Sequence, residues 1–232
     1  MESADNSPRA GIWIVMPAYN EAKRIAVPLG DVLTHFPNVV VVDDGSYDQT
    51  SDVALSTGCW VLRHVLNRGQ GAALQTGIDF ALSQGAEIIV TFDADGQHDV
   101  ADIDRLIAPV HHGDADVVLG SRFLGSAVDM PLSRWLVLKG GVLFTRIFSW
   151  IEVSDTHNGL RAFSRHAAQA LRITQDRMAH ASQILDEIRR LGLRYCEVPV
   201  TIRYTADSLS KGQSSWDAAK IVGQLFIGRM MR

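Results

Sequence analysis

Over its first 110 residues the chain alternates short apolar runs with longer amphipathic stretches. The runs at 12–16, 39–42, 59–62 and 87–92 are β-branched or aromatic and of strand length, and turn and cap residues (Gly, Asn, Asp, Ser) follow them. Between and after them, 21–33, 49–56, 71–83 and 102–110 carry apolar residues at helical spacing. This β-α-β-α order predicts an α/β fold, a mostly parallel sheet flanked by helices. Ligands of such sheets sit at the carboxyl ends of the strands, so the segments that follow each strand are expected to carry the chemistry.

Past Gly120 the pattern changes. Residues 132–151 form a long amphipathic, partly basic stretch, 154–165 is loop-like, 179–191 reads as a helix and 195–204 as a strand. A polar segment, 205–215, leads into a final helix at 216–231. The expected organisation is an N-terminal tail (1–10), an α/β domain (11–204) and a C-terminal loop with an amphipathic helix (205–232).

Composition narrows the class. With 47% hydrophobic and 21% charged residues among 232, the chain falls in the globular range, away from disordered and low-complexity sequences. No apolar run approaches the roughly 18–20 residues of a membrane span, and the opening MESADNSPRA lacks the basic-then-apolar order of a signal peptide. A cytoplasmic protein is expected. Cys59 and Cys196 lie far apart within apolar stretches and read as buried thiols. A formal net charge of −4 speaks against a nucleic-acid partner. The charge is uneven: residues 203–232 carry five basic groups against two acidic, and 121–150 four against one.

Polar motifs follow all four strands. Pro17-Ala18-Tyr19-Asn20-Glu21 and Asp43-Asp44-Gly45-Ser46 offer turn and cap chemistry, and a carboxylate there also suits a nucleobase or ribose. Arg68-Gly69-Gln70-Gly71 invites a dinucleotide-binding reading, but the third glycine of that fingerprint falls on Leu74, so close helix–sheet packing explains the segment more simply. Asp93-Ala94-Asp95-Gly96-Gln97-His98 is the sharpest feature, with two carboxylates one residue apart at the end of an apolar strand. Mg²⁺ typically takes one or two carboxylates plus substrate phosphates and water, and a diphosphate leaving group needs such a cation.

These motifs, together with Gly71-Ala72-Ala73, Gly120-Ser121-Arg122, Asn158-Gly159-Leu160-Arg161 and Glu197-Val198-Pro199-Val200, occur in the order seen in family 2 glycosyltransferases. The chain resembles in particular the branch of dolichyl-phosphate mannose synthase and the polyprenyl-phosphate glycosyltransferases. The resemblance implies a GT-A fold and inverting transfer of a sugar from a nucleotide-diphosphate donor, with Mg²⁺ or Mn²⁺ as cofactor. It implies that Pro17, Ala18, Tyr19, Glu21 and Asp44 line the nucleoside pocket. Asp93 and Ala94 face the donor, and Asp93, Asp95 and Gln97 hold the metal. Asp95 and Arg122 are the implied catalytic residues, with Arg203 and Lys211 closing over the diphosphate.

Two departures stand out. The resemblance expects a Glu where the chain has Gln183, which leaves that role vacant or to Asp186 or Glu187, and Arg203 lies closer to the Glu-Val-Pro motif than its counterpart. The Glu-Asp base and Gln-x-x-Arg-Trp motif of members acting on sugar hydroxyls are not evident. A phosphate monoester is already anionic and attacks without a base, so the expected acceptor is a polyprenyl phosphate at the inner membrane face. The alternatives are a saccharide hydroxyl acceptor, or a nucleotide-sugar-binding protein with little turnover. In the final helix Trp216, Ala219, Val222, Phe226 and Met230 share a face flanked by Lys220 and Arg229, suited to a headgroup layer, to core packing or to a homo-oligomer. Residues 132–151 offer a second such surface.

Overall fold

The computed structural model, which describes residues 9–149, 151–175 and 180–204, contains the expected alternation. Its first half runs β1 (Ile12–Ala18), α1 (Ala26–Leu33), β2 (Val39–Asp43), α2 (Thr50–Ser56), β3 (Trp60–Arg63), α3 (Gln70–Ser83), β4 (Ile88–Thr91) and α4 (Ile103–His111). The second half runs β5 (Val117–Val128), α5 (Leu132–Ser149), β6 (Arg161–Ser164), α6 (Arg165–Ala170), α7 (His180–Arg190) and β7 (Tyr195–Arg203). Lys211 and the final helix at 216–231 lie outside the described residues.

The strands form one seven-stranded sheet in the order β3-β2-β1-β4-β6-β5-β7. All neighbours pair in parallel except β6, which runs antiparallel to both β4 and β5. Strand alternation splits the core into two layers. Ile12, Ile14 and Met16 of β1 join Leu29 and Leu106 on one face, whereas Trp13 and Val15 join Leu74, Ile78 and Ile184 on the other. Central strands covered on both faces explain the unbroken apolar runs of β1 and β2.

Three expectations are corrected. The segment at 161–164, expected as loop, is the antiparallel strand β6. Helix α1 begins at Ala26 instead of residue 21, and the backbone N–H groups of Asn20, Glu21 and Ala22 bond to Ser46, Thr50 and Asp48 between β2 and the start of α2. Cys59 and Cys196 are half-buried, since one precedes edge strand β3 and the other lies in edge strand β7, and partial burial raises both thiol pKa values. Among the described residues no helix is long and apolar enough to cross a membrane.

The packing expected of the Gly-rich α3 is present. A Cβ at Gly77 would stand 2.3 Å from Val15 Cγ1 and 3.1 Å from Val42 Cγ2, so this glycine lets α3 lie directly on β1 and β2. Gly77→Ala is therefore expected to destabilise the protein by about 1–3 kcal/mol, read from the urea midpoint. An unchanged midpoint would mean that the helix lifts off the sheet without cost.

Candidate active site

Because β1, β2, β4 and β5 run in the same direction within one sheet, their carboxyl ends fall along a single edge, and reversed β6 begins at that same edge. Strand order then arranges the motifs in space: Asp44 after β2, residues 17–21 at β1, residues 93–98 after β4, and Arg122 on β5. A cleft of about 410 Å³ runs along this edge, and Pro17, Ala18, Tyr19, Glu21, Asp44, Asp93, Ala94, Asp95, Gln97 and Arg122 all line it.

The end of the cleft at β1 and β2 is built by two interlocked loops. Asn20, at φ 54°, turns the chain after β1 so that its Oδ1 accepts from the Tyr47 backbone at 2.9 Å. The adjacent acids do not oppose each other. Asp43 is buried, accepting from Ser46 N at 2.8 Å and from the Ser51 hydroxyl, and so braces its own turn. Asp44 accepts from His64 Nδ1 at 2.7 Å and from the backbone N–H groups of Arg68 and Gly69 at 2.9 and 2.6 Å, which fixes its carboxylate at the cleft wall.

The acidic turn after β4 divides its two carboxylates. Burial would raise the pKa of Asp93, but the hydrogen bond from His98 and the charges of His98, His180 and Arg161 outweigh it and hold Asp93 ionised below the usual range. Asp95 is raised by burial, by the charge of Asp93 and by that of Glu21. Its Oδ1 accepts from Gln97 N at 3.0 Å, while Gln97 Nε2 is buried without a hydrogen-bond partner among the described residues. No group of three or more His, Cys, Asp or Glu among the described residues forms a cage for a metal ion. What the turn offers is a set of hard oxygen donors whose mutual repulsion a cation would relieve.

The opposite end is basic. Arg122, buried on β5, donates through Nε to Asp155 Oδ2 at 2.6 Å, through Nη1 to Tyr204 Oη at 2.5 Å and through Nη2 to His157 O at 3.0 Å. Burial alone would weaken its charge, but Asp155 and Tyr204 more than compensate and its pKa is raised. Arg161 behind it is buried, which lowers its pKa to about 10 against the pull of Asp93 and Asp155. His157 lines the cleft and is held neutral by burial and by the charges of Arg161 and Arg122.

Not every expected residue enters the cleft. Arg203 pairs with Asp99 at 2.9 Å and is absent from the lining, while Lys211 lies outside the described residues. Gln183 accepts through Oε1 from the backbone of Thr174 and Gln175 and donates through Nε2 to Arg172 O and Thr174 Oγ1, so it pins the 172–175 segment. A Glu there would lose both donations. Glu187 pairs with Arg190, and neither it nor Asp186 lines the cleft. The cleft also recruits Gln70, Arg134, His157 and Gly159. Their only sequence signal was membership in or near a motif, because contacts across the sheet choose them.

Six parallel strands with one reversed strand third from the edge, and a nucleotide-sized acidic cleft at their carboxyl edge, are the GT-A architecture of glycosyltransferases. The chain belongs to glycosyl transferase family 2, whose family model matches residues 13–172. It is 31% identical over 241 residues to the UDP-N-acetylglucosamine--dolichyl-phosphate N-acetylglucosaminyltransferase of Methanococcus voltae, covering 94% of this chain and 96% of that one. It is 32% identical over 202 residues to the undecaprenyl-phosphate mannosyltransferase of Micrococcus luteus, covering 82% of each. Among solved structures, glucosyl-3-phosphoglycerate synthase from Mycobacterium tuberculosis, in complex with Mn²⁺, UDP-glucose and phosphoglyceric acid, superposes with a TM-score of 0.67 at 20% identity. That match covers 92% of this chain and 78% of the other.

Proposed function

We propose that this glycosyltransferase moves a sugar from a nucleotide-diphosphate donor to a polyprenyl phosphate, with inversion, and with Mg²⁺ or Mn²⁺ held by Asp95, Gln97 and Asp93. The observation that carries this is the polarity of the cleft. The carboxylates among its lining residues (Glu21, Asp44, Asp93 and Asp95) follow β1, β2 and β4, where Glu21 pairs with Arg24 and Asp93 with His98, whereas the β5 side brings Arg122, Arg134 and His157 and no lining carboxylate. Asp155, the carboxylate nearest that basic end, is already engaged by Arg122. Such an end suits an acceptor that arrives as an anion and needs no base. A phosphate oxygen attacks the anomeric carbon, the new C–O bond forms as the bond to the diphosphate breaks, and the nucleoside diphosphate leaves. When bound, the cation neutralises the charge that develops on that leaving group. Arg122 and Arg134 orient the incoming phosphate.

The lipid character of the acceptor is supported by the names of the two relatives and by the surface beside the basic end. Leu124, Val128, Leu132, Trp135 and Leu136 are exposed there. Lys139 stands over the Phe123 ring at 3.9 Å and Arg134 over the Tyr204 ring at 4.9 Å. An apolar patch rimmed by cations fits the headgroup layer of an anionic membrane, which would place the protein peripherally on it.

A second reading rests on His157. A neutral imidazole in the cleft is a competent base for a saccharide hydroxyl. The test is release of nucleoside diphosphate from a panel of UDP-, GDP- and dTDP-sugars, with and without a short-chain prenyl phosphate. Acceleration by the phosphate and not by the free prenol or a saccharide is expected. Acceleration by a saccharide alone would favour the second reading.

A further inference from the structure

The Gly-rich segment ahead of α3 does more than pack. Two of its backbone N–H groups, those of Arg68 and Gly69, hold Asp44, and the next side chain turns the other way along the cleft. There Gln70 Nε2 donates to Asp93 Oδ1 at 2.9 Å. His98, whose side chain is 3% exposed, meets the other oxygen, with Nε2 at 3.1 Å from Asp93 Oδ2. Gly159 closes the third side, since a Cβ there would lie 2.1 Å from that same oxygen.

His98 supplies the telling detail. Its Nδ1 is buried and has no hydrogen-bond partner among the described residues, so the ring gives up one polar contact while its other nitrogen serves Asp93. Both oxygens of Asp93 carry a side-chain partner, whereas among the described residues Asp95 accepts from the Gln97 backbone. We propose that Gln70 and His98 are positioning residues that clamp the Asp93 carboxylate from both sides and present its remaining lone pairs to the cation. Asp93 is thus the fixed member of the donor set and Asp95 the adaptable one. Because the same segment seats Asp44, the 68–70 turn sets the distance between nucleoside and metal carboxylates. This inference rests on the metal reading above.

The experiment measures UDP and GDP affinity by calorimetry, each in Mn²⁺ and in EDTA, for the full chain and its variants. Partners that orient a metal-binding group typically contribute about 10–100-fold to metal affinity. Gln70→Met and His98→Asn are expected to reduce the gain from Mn²⁺ by about tenfold or more while leaving affinity in EDTA within about twofold. His98→Gln, whose amide nitrogen reaches the place of Nε2, is expected to keep most of the gain, a rescue that a merely structural role would not produce. Thermal unfolding in EDTA checks that each variant is folded, and the His98 pair carries the test if Gln70→Met is not. A full Mn²⁺ gain in folded Gln70→Met or His98→Asn overturns the clamp alone. A wild type indifferent to Mn²⁺ overturns the metal reading and the clamp with it.

Discussion

Asp95→Asn is expected to lower sugar transfer by about three orders of magnitude, the loss of several kcal/mol of stabilisation at the leaving diphosphate. It should also remove the dependence of donor affinity on Mn²⁺. The same substitution should raise the melting temperature of the metal-free protein. Asp95 is buried beside ionised Asp93 and within the field of Glu21, and these outweigh the charge of His98 and the Gln97 hydrogen bond, so its pKa is raised. A carboxyl whose folded pKa is raised binds its proton more tightly in the native state than in the unfolded one. Its penalty is absent at pH values below the unfolded pKa and grows as pH rises through the folded pKa, so the gain from Asn should appear at neutral pH and fade in acid. Scanning calorimetry in EDTA at pH 7 and at pH 4 reads this directly. A variant that keeps its Mn²⁺-dependent affinity would remove Asp95 from the metal site. One that melts no higher than wild type would mean that the repulsion is relieved by other means.

The second large effect concerns stability at the basic end. Asp155→Ala should destabilise the protein by about 3–5 kcal/mol, because it leaves the buried Arg122 guanidinium without its counter-ion. The loss should exceed that of a solvent-screened surface pair such as Arg194 with Asp116. Replacing both partners with apolar residues, Arg122→Met with Asp155→Leu, should recover much of the stability while abolishing transfer, since the phosphate would then lose its fork of donors. Urea unfolding of the two single variants and the double variant gives the coupling. Strict additivity would show that Tyr204 and His157, not Asp155, hold Arg122 in place.

The first half of the sheet was legible because β1, β2 and β4 are buried apolar runs closed by turn residues, a pattern that depends only on neighbours in sequence. Strand β6 was not, since its four residues include a buried arginine and take their partners from β4 and β5, some 42 or more positions away in the register of Leu119 with Arg161. The acidic turn and the β1 and β2 loops announced themselves through residue type. What could not be read was how their polar groups are shared. Asp43 and Asp44 look equivalent in the sequence, yet one braces a turn and the other faces the cleft. Gln183 looks like a missing acid until its hydrogen bonds to 172–175 are seen. Arg203 carries the charge expected of a diphosphate ligand, but Asp99 takes it, a partner 104 positions away.

The reversed strand also bears on how the protein is assembled. Strands β3, β2, β1 and β4 come entirely from residues 12–91, and β6, β5 and β7 from 117–203, so the sheet is two blocks meeting along a single antiparallel seam of four residue pairs. Loop-closure entropy favours the β1–β2 and β2–β3 pairings, 25 and 20 positions apart, ahead of both β1–β4 and the seam, which lie 70–76 positions apart. Asp95 belongs to the first block and Arg122 to the second, and a donor and acceptor bound together would bridge them. On the proposed reading, substrates would act as staples across this seam, and their occupancy would raise the stability of the protein by mass action.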